Sequence, residues 1–217
     1  MTSPPARPRQ AFGAAAAWMS GALVYLIFEA IAAKAFRPDY SYAHNLISDL
    51  GIPSRASALA WLMNTAFCLQ GTLFLVGAIL AVRAIGARRA RAFLTLAAVN
   101  AVGNILIAIF HSGPAAQADR TAWVHATGAV LAIVGGNAAI LAGSCTIGGP
   151  PWHRRISAGL AALGLLSFMM FVVESSGAGV QLMPPAVWER CSVYSITAWQ
   201  MFAAIWLFTR SRLCRPA

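Results

Sequence analysis

The chain has 217 residues, of which 59% are hydrophobic and only 10% charged, and its mean hydropathy is +0.67. So little polar surface cannot coat a water-soluble globule, which excludes a soluble enzyme or carrier. The net charge of +10 would suit nucleic acid in a soluble protein. Here the basic residues sit in short loops beside apolar stretches, with no basic patch interleaved with aromatics, so membrane lipids are the expected partners and nucleic acid is not.

Six apolar stretches are each near the ~20 residues that cross a bilayer as a helix. The first runs from Phe12 to Ala33 and carries Tyr25 and Glu29 toward its end. At this length it exceeds the apolar region of a signal peptide, and no convincing cleavage site follows, so it reads as a retained helix. The loop after it, Phe36 to Ser57, contains Tyr40-Ser41-Tyr42-Ala43-His44-Asn45-Leu46-Ile47-Ser48-Asp49-Leu50-Gly51. Asn45 suits the cap of a short interfacial helix, Gly51 suits a left-handed stop and Pro53 forbids continuation. Its polar side, His44, Ser48 and Asp49, is expected to face the mouth of the bundle.

The second span runs from Ala58 to Val82 and the third from Ala92 to Phe110, where Asn100, Asn104 and His111 form one polar stripe. The fourth runs from Thr121 to Ser144, with His125 one turn inside it and Gly128, Ala132 and Gly136 spaced for close helix contact. The fifth runs from Ile156 to Val173 and is closed by Glu174. The sixth runs from Glu189 to Thr209 and offers Glu189, Ser192 and Gln200 along one side. The tryptophans read as interface anchors. The four cysteines read as free thiols, because no pair is placed to bridge on one oxidising face.

Threading the six spans back and forth puts all six acids at one end: Glu29, Asp39, Asp49, Asp119, Glu174 and Glu189. Of the basic residues, Lys34, Arg37, Arg55, Arg120 and Arg190 share that end, and the other eleven lie opposite: Arg7, Arg9, Arg83, Arg88, Arg89, Arg91, Arg154, Arg155, Arg210, Arg212 and Arg215. The positive-inside rule makes the arginine-rich end cytoplasmic, with both termini there. With arginine far above lysine and alanine abundant, a bacterial plasma membrane is the expected setting. The fold class is all-α: residues 1–217 form a single six-helix transmembrane domain plus a short interfacial outer helix, with cytoplasmic tails at 1–11 and 210–217.

Polar groups from several helices converge at one depth, and such groups are costly in lipid, so they are expected to line an outward-facing pocket. Its expected residues are Glu29, His44, Asn45, Ser48, Asp49, Asn104, His111, His125 and Glu174. The leading reading is a protein that binds or moves an amphiphile or a small polar solute there. One alternative is a metal-assisted intramembrane lipid hydrolase, with zinc held by His44, His111 and His125 and Glu174 or Asp49 as general base. Another is a structural subunit that packs on a membrane-protein partner or on further copies of itself. No Ser-His-Asp order, phosphate loop or H-E-x-x-H motif is present.

With those residues in view, the chain resembles the membrane family catalogued as domain of unknown function 998. The resemblance rests on the Tyr40-to-Gly51 string, with its tyrosine–serine, asparagine and serine–aspartate–leucine–glycine elements. The series Phe110, Asp119, His125 is similar to the family's aromatic–acid–histidine pattern between the third and fourth helices. The resemblance implies a six-helix membrane protein and carries no established activity with it.

Overall fold

In the computed structural model, residues 8–87, 90–177 and 182–213 are described. Arg7, Arg88, Arg89, Cys214, Arg215 and the side chain of Arg212 lie outside what is described. The elements are α1 (Pro8–Ala35), a 3-10 turn (Ser48–Gly51), α2 (Ala60–Ile85), α3 (Arg91–Ile109), α4 (Pro114–Ala118), α5 (Ala122–Ile147), α6 (Pro151–Ser175) and α7 (Pro185–Leu213). Six of these helices are long and apolar enough to cross a membrane. At 1.5 Å per residue they measure about 28 to 43 Å, against about 30 Å of hydrocarbon. The protein is an all-helical, multi-pass membrane bundle.

The helices start and stop where the sequence gives a physical reason. Pro151 opens α6 and Pro114 opens α4, where a missing N–H leaves no helical bond unmade. Gly86 ends α2 in the left-handed conformation (φ 64°), with its N–H on the Val82 carbonyl. α4 is an addition to the expected elements, because the stretch from His111 to Arg120 reads as plain loop until Pro114 is credited with starting a helix.

The membrane-spanning helices pack as a closed ring in chain order. α1 contacts α2, α2 contacts α3, α3 contacts α5, α5 contacts α6, α6 contacts α7, and α7 returns to α1. The ring is inverted in polarity relative to a soluble bundle. Leu163, Leu166 and Met169 of α6 and Ile109 of α3 are exposed, whereas Asn100, Asn137, Ser157 and Gln200 are buried. Small residues allow the closest approach: a Cβ on Gly103 of α3 would lie 2.2 Å from the Ala132 nitrogen of α5. The Gly128–Ala132 stripe is therefore a packing surface, as its spacing indicates.

Two tryptophans correct the reading of that residue as an interface anchor. Trp18 and Trp199 are fully buried, with ring centroids 5.2 Å apart. Trp18 donates to the Phe74 carbonyl (3.0 Å) and Trp199 to the Ser157 hydroxyl (3.0 Å). α1 begins at Pro8 and α7 at Pro185, so both indoles sit well inside their helices. Trp61, Trp123 and Trp152 are exposed, as anchors require. Cys68, Cys145 and Cys191 are free thiols.

Candidate functional site

Alternating traverses gather the acidic residues at one end of the ring, and there the segment between α1 and α2 folds back over the bundle. Tyr40 anchors it by donating from its hydroxyl to the Leu46 carbonyl (2.8 Å). Asn45 does not cap a helix: its Oδ1 accepts from the Ser41 N–H at 2.9 Å and closes the preceding turn. The 3-10 turn has no side-chain cap; Asp49, inside it, reaches back so that its Oδ2 takes the Leu46 N–H at 2.9 Å. Burial pushes the Asp49 carboxyl above the usual carboxylate range, opposed by that N–H and by the nearby Arg190 and His125. Burial likewise raises the Tyr40 and Tyr42 phenols. Gly51 is not left-handed. Its requirement is closeness, since a Cβ there would meet Asn64 Oδ1 at 2.6 Å, and Asn64 donates to its carbonyl (2.9 Å).

Two adjacent residues of α7 hold this segment down. Arg190 donates to the Asn45 carbonyl (2.8 Å) and to the Tyr40 hydroxyl, and its guanidinium lies 5.3 and 5.1 Å from the Tyr40 and Tyr42 ring centroids. Its Nε is 3.7 Å from Glu29. The Tyr194 hydroxyl reaches both Glu29 oxygens at 2.9 Å. Glu189 points elsewhere and accepts the Ile47 N–H at 2.6 Å. Ile47 and Leu50 are buried beneath.

Under the segment lies a cavity of about 50 Å³. Ile47 and Ser48 form one wall. Tyr25 of α1, Phe67 and Gln70 of α2, Asn100 and Asn104 of α3, His125 of α5 and Glu189 of α7 are among the rest of the lining. Asn100 donates to the Ala132 carbonyl (2.6 Å), Asn104 to the Asn100 carbonyl (2.9 Å) and His125 Nδ1 to the Phe110 carbonyl (2.8 Å). Gln70 donates to Gln200 of α7. Asn100 Oδ1 and Gln70 Oε1 are buried without a hydrogen-bond partner.

Of the nine expected site residues, Ser48, Asn104 and His125 line this cavity. The other six have different places. Glu29 is buried against Arg190 and Tyr194. Asn45 and Asp49 stabilise the segment from within. His44 is exposed. His111 accepts from Asn64 at 3.0 Å and borders a separate depression with Ser112, Asp119 and Thr121. Glu174 receives the Leu182 N–H at 2.8 Å and secures the approach to α7. The expected zinc set is therefore not assembled. His44 faces solvent, His111 spends Nε2 on Asn64 and His125 spends Nδ1 on Phe110. Among the described residues, no three His, Cys, Asp or Glu side chains are placed to hold a metal ion.

Sequence reasoning left Gln70 out and passed over Asn100 and Glu189 as site residues. Gln70 is a lone amide within an apolar stretch, and its partner is 130 positions away. Glu189 stands next to Arg190 at a span end, which reads as a solvated pair. Successive helical residues differ by about 100° in direction, so the two serve different neighbours.

Comparison with curated proteins and with solved structures finds no match. The family model described as "Protein of unknown function (DUF998)" matches residues 19–206, which include the anchored segment, every cavity-lining residue and the Phe110–His125 pairing. The chain belongs to the DUF998 family of membrane proteins.

Proposed function

We propose that this protein binds a small polar solute in the cavity at the acidic end of the ring, the end that faces outward in a bacterial plasma membrane. The observation that carries the reading is Asn100 Oδ1, a buried acceptor without a partner on a residue that lines a mostly apolar cavity. Buried polar groups are normally satisfied, and an unsatisfied one costs about 1–3 kcal/mol. A solute or water in the cavity supplies the missing bond. The volume favours the small-solute branch of the reading over the amphiphile. About 50 Å³ holds a few heavy atoms, and its walls include side chains from five helices.

The segment from Asn45 to Gly51 then acts as the roof of the site. It is fixed at Asn45 by Arg190 and at Ile47 by Glu189, so releasing either contact opens the path from the outer surface. The test is ligand-induced thermal stabilisation of the purified protein, with and without Ala129→Leu, which fills the cavity from α5. The expected result is a saturable rise in melting temperature with small polar solutes that Ala129→Leu abolishes. Solute responses that are the same in both proteins would reject the cavity as the site.

A further inference from the structure

The chemistry of the solute follows from which ends of the side chains the cavity receives, given the binding role proposed above. Asn100, Asn104 and His125 each turn a donor onto a backbone carbonyl, at 2.6, 2.9 and 2.8 Å. A carbonyl only accepts, so these pairings fix both amide orientations and the tautomer of the neutral ring. The acceptors left over are two Oδ1 atoms and the Nε2 lone pair of His125, beside the second N–H of each amide and the hydroxyls of Tyr25 and Ser48. Asn100 Oδ1 is partnerless on a residue only 2% exposed. Glu189 adds a carboxylate that accepts from the Ile47 and Ser48 N–H groups, and neither lysine nor arginine is among the lining residues. The neighbouring Arg190 is engaged with Glu29 and the loop.

A small cavity with one carboxylate, several free acceptors and no cationic side chain in its lining favours a positive hydrogen-bond donor over an anion. We infer that the cavity is a binding site for a small monovalent cation held by Glu189, Asn100, Asn104 and His125. Ammonium matches all four groups, because it donates to oxygen and nitrogen alike. Sodium and potassium match only the oxygens. A quaternary amine of choline's size exceeds about 50 Å³.

The experiment is melting temperature of the full chain in detergent against ammonium, sodium or potassium chloride, with choline chloride holding ionic strength constant. Formamide serves as the neutral probe of similar size. Ammonium is expected to stabilise saturably, formamide is not, and Glu189→Gln, which keeps an acceptor for Ile47, is expected to raise half-saturation at least tenfold. Stronger stabilisation by sodium or potassium also supports a cation site, with the oxygens as its ligands. Formamide acting as well as ammonium, both lost in Ala129→Leu, would overturn the cation assignment and leave the cavity as a binding site. Response to neither probe would overturn both. If Glu189→Gln does not fold, the comparison of ammonium with formamide on the wild-type chain decides alone.

Discussion

The Arg190 guanidinium reaches Glu29 across 3.7 Å, joining the last helix of the ring to the first. Both side chains are buried, and Arg190 also carries the loop through Asn45 and Tyr40. Removing one member of a buried pair leaves an uncompensated charge, at a cost of about 3–5 kcal/mol. Arg190→Ala should therefore lower the melting temperature sharply, and Arg190→Lys should restore little, since an ammonium cannot span the same acceptors. Glu29→Gln together with Arg190→Met should be more stable than Arg190→Ala alone. Equal melting of Arg190→Ala and wild type would show that the pair contributes nothing.

Asp49 and Asp39 lie in the same loop and should differ in tolerance. Asp49 is half-buried and receives the Leu46 N–H, whereas Asp39 is exposed. Asp49→Ala is expected to cost about 1 kcal/mol from the lost hydrogen bond, with Asp39→Ala near neutral. The pH dependence has a definite sign. Burial raises the Asp49 carboxyl in the folded protein, so the folded state binds this proton more tightly than the unfolded one. Stability from this group is then present at low pH and declines as pH rises from about 4 through the raised value. Asp49→Asn should flatten that slope in melting curves recorded across the range.

Tyr40→Phe removes a hydroxyl that accepts from Arg190 and donates to the Leu46 carbonyl. The expected outcome is about 1 kcal/mol of lost loop stability, read as faster hydrogen exchange at Leu46 and Ile47 with α3 and α5 unchanged. Slower or unaltered exchange at both amides would count against Tyr40 as an anchor.

Gly103→Ala and Gly159→Ala form a matched pair. A Cβ at 103 collides with the α5 backbone at 2.2 Å, while at 159 nothing lies within 4 Å. The first should lose about 1–3 kcal/mol through overpacking. The second should gain up to about 1 kcal/mol from helix propensity. Comparable stability of the two variants would contradict the α3–α5 contact.

Much of the ring was legible in the sequence because lipid demands long uninterrupted apolar stretches, and those leave a signal that needs no partner. The Tyr40-to-Gly51 string was legible as a structured segment for the same reason that turns are: its polar groups bond locally, as Asp49 does to Leu46. The site was legible only in part. His125 and Asn104 stand out as polar residues inside spans. Gln70 and Gln200 acquire meaning only when α2 and α7 face one another. The separate tasks of Glu189 and Arg190 depend on helix rotation, which a span-end acid–base pair does not reveal. Trp18 and Trp199 already lay inside their expected spans, and only the general preference of tryptophan for the interface made these core indoles read as anchors.

The ring order has a consequence for biogenesis. Five of the six contacts around the ring join helices that are neighbours in the chain, so each can dock on its predecessor as it leaves the insertion machinery. The sixth, between α7 and α1, is a seam that waits for the final helix. Glu29 enters with the first helix, while Arg190 and Tyr194 arrive with the last. Until that moment the carboxylate has neither partner and the cavity lacks its Glu189 wall. A chain truncated before α7 should therefore insert but leave the seam unlocked, with α6, which then packs on α5 alone, more readily shed than α1.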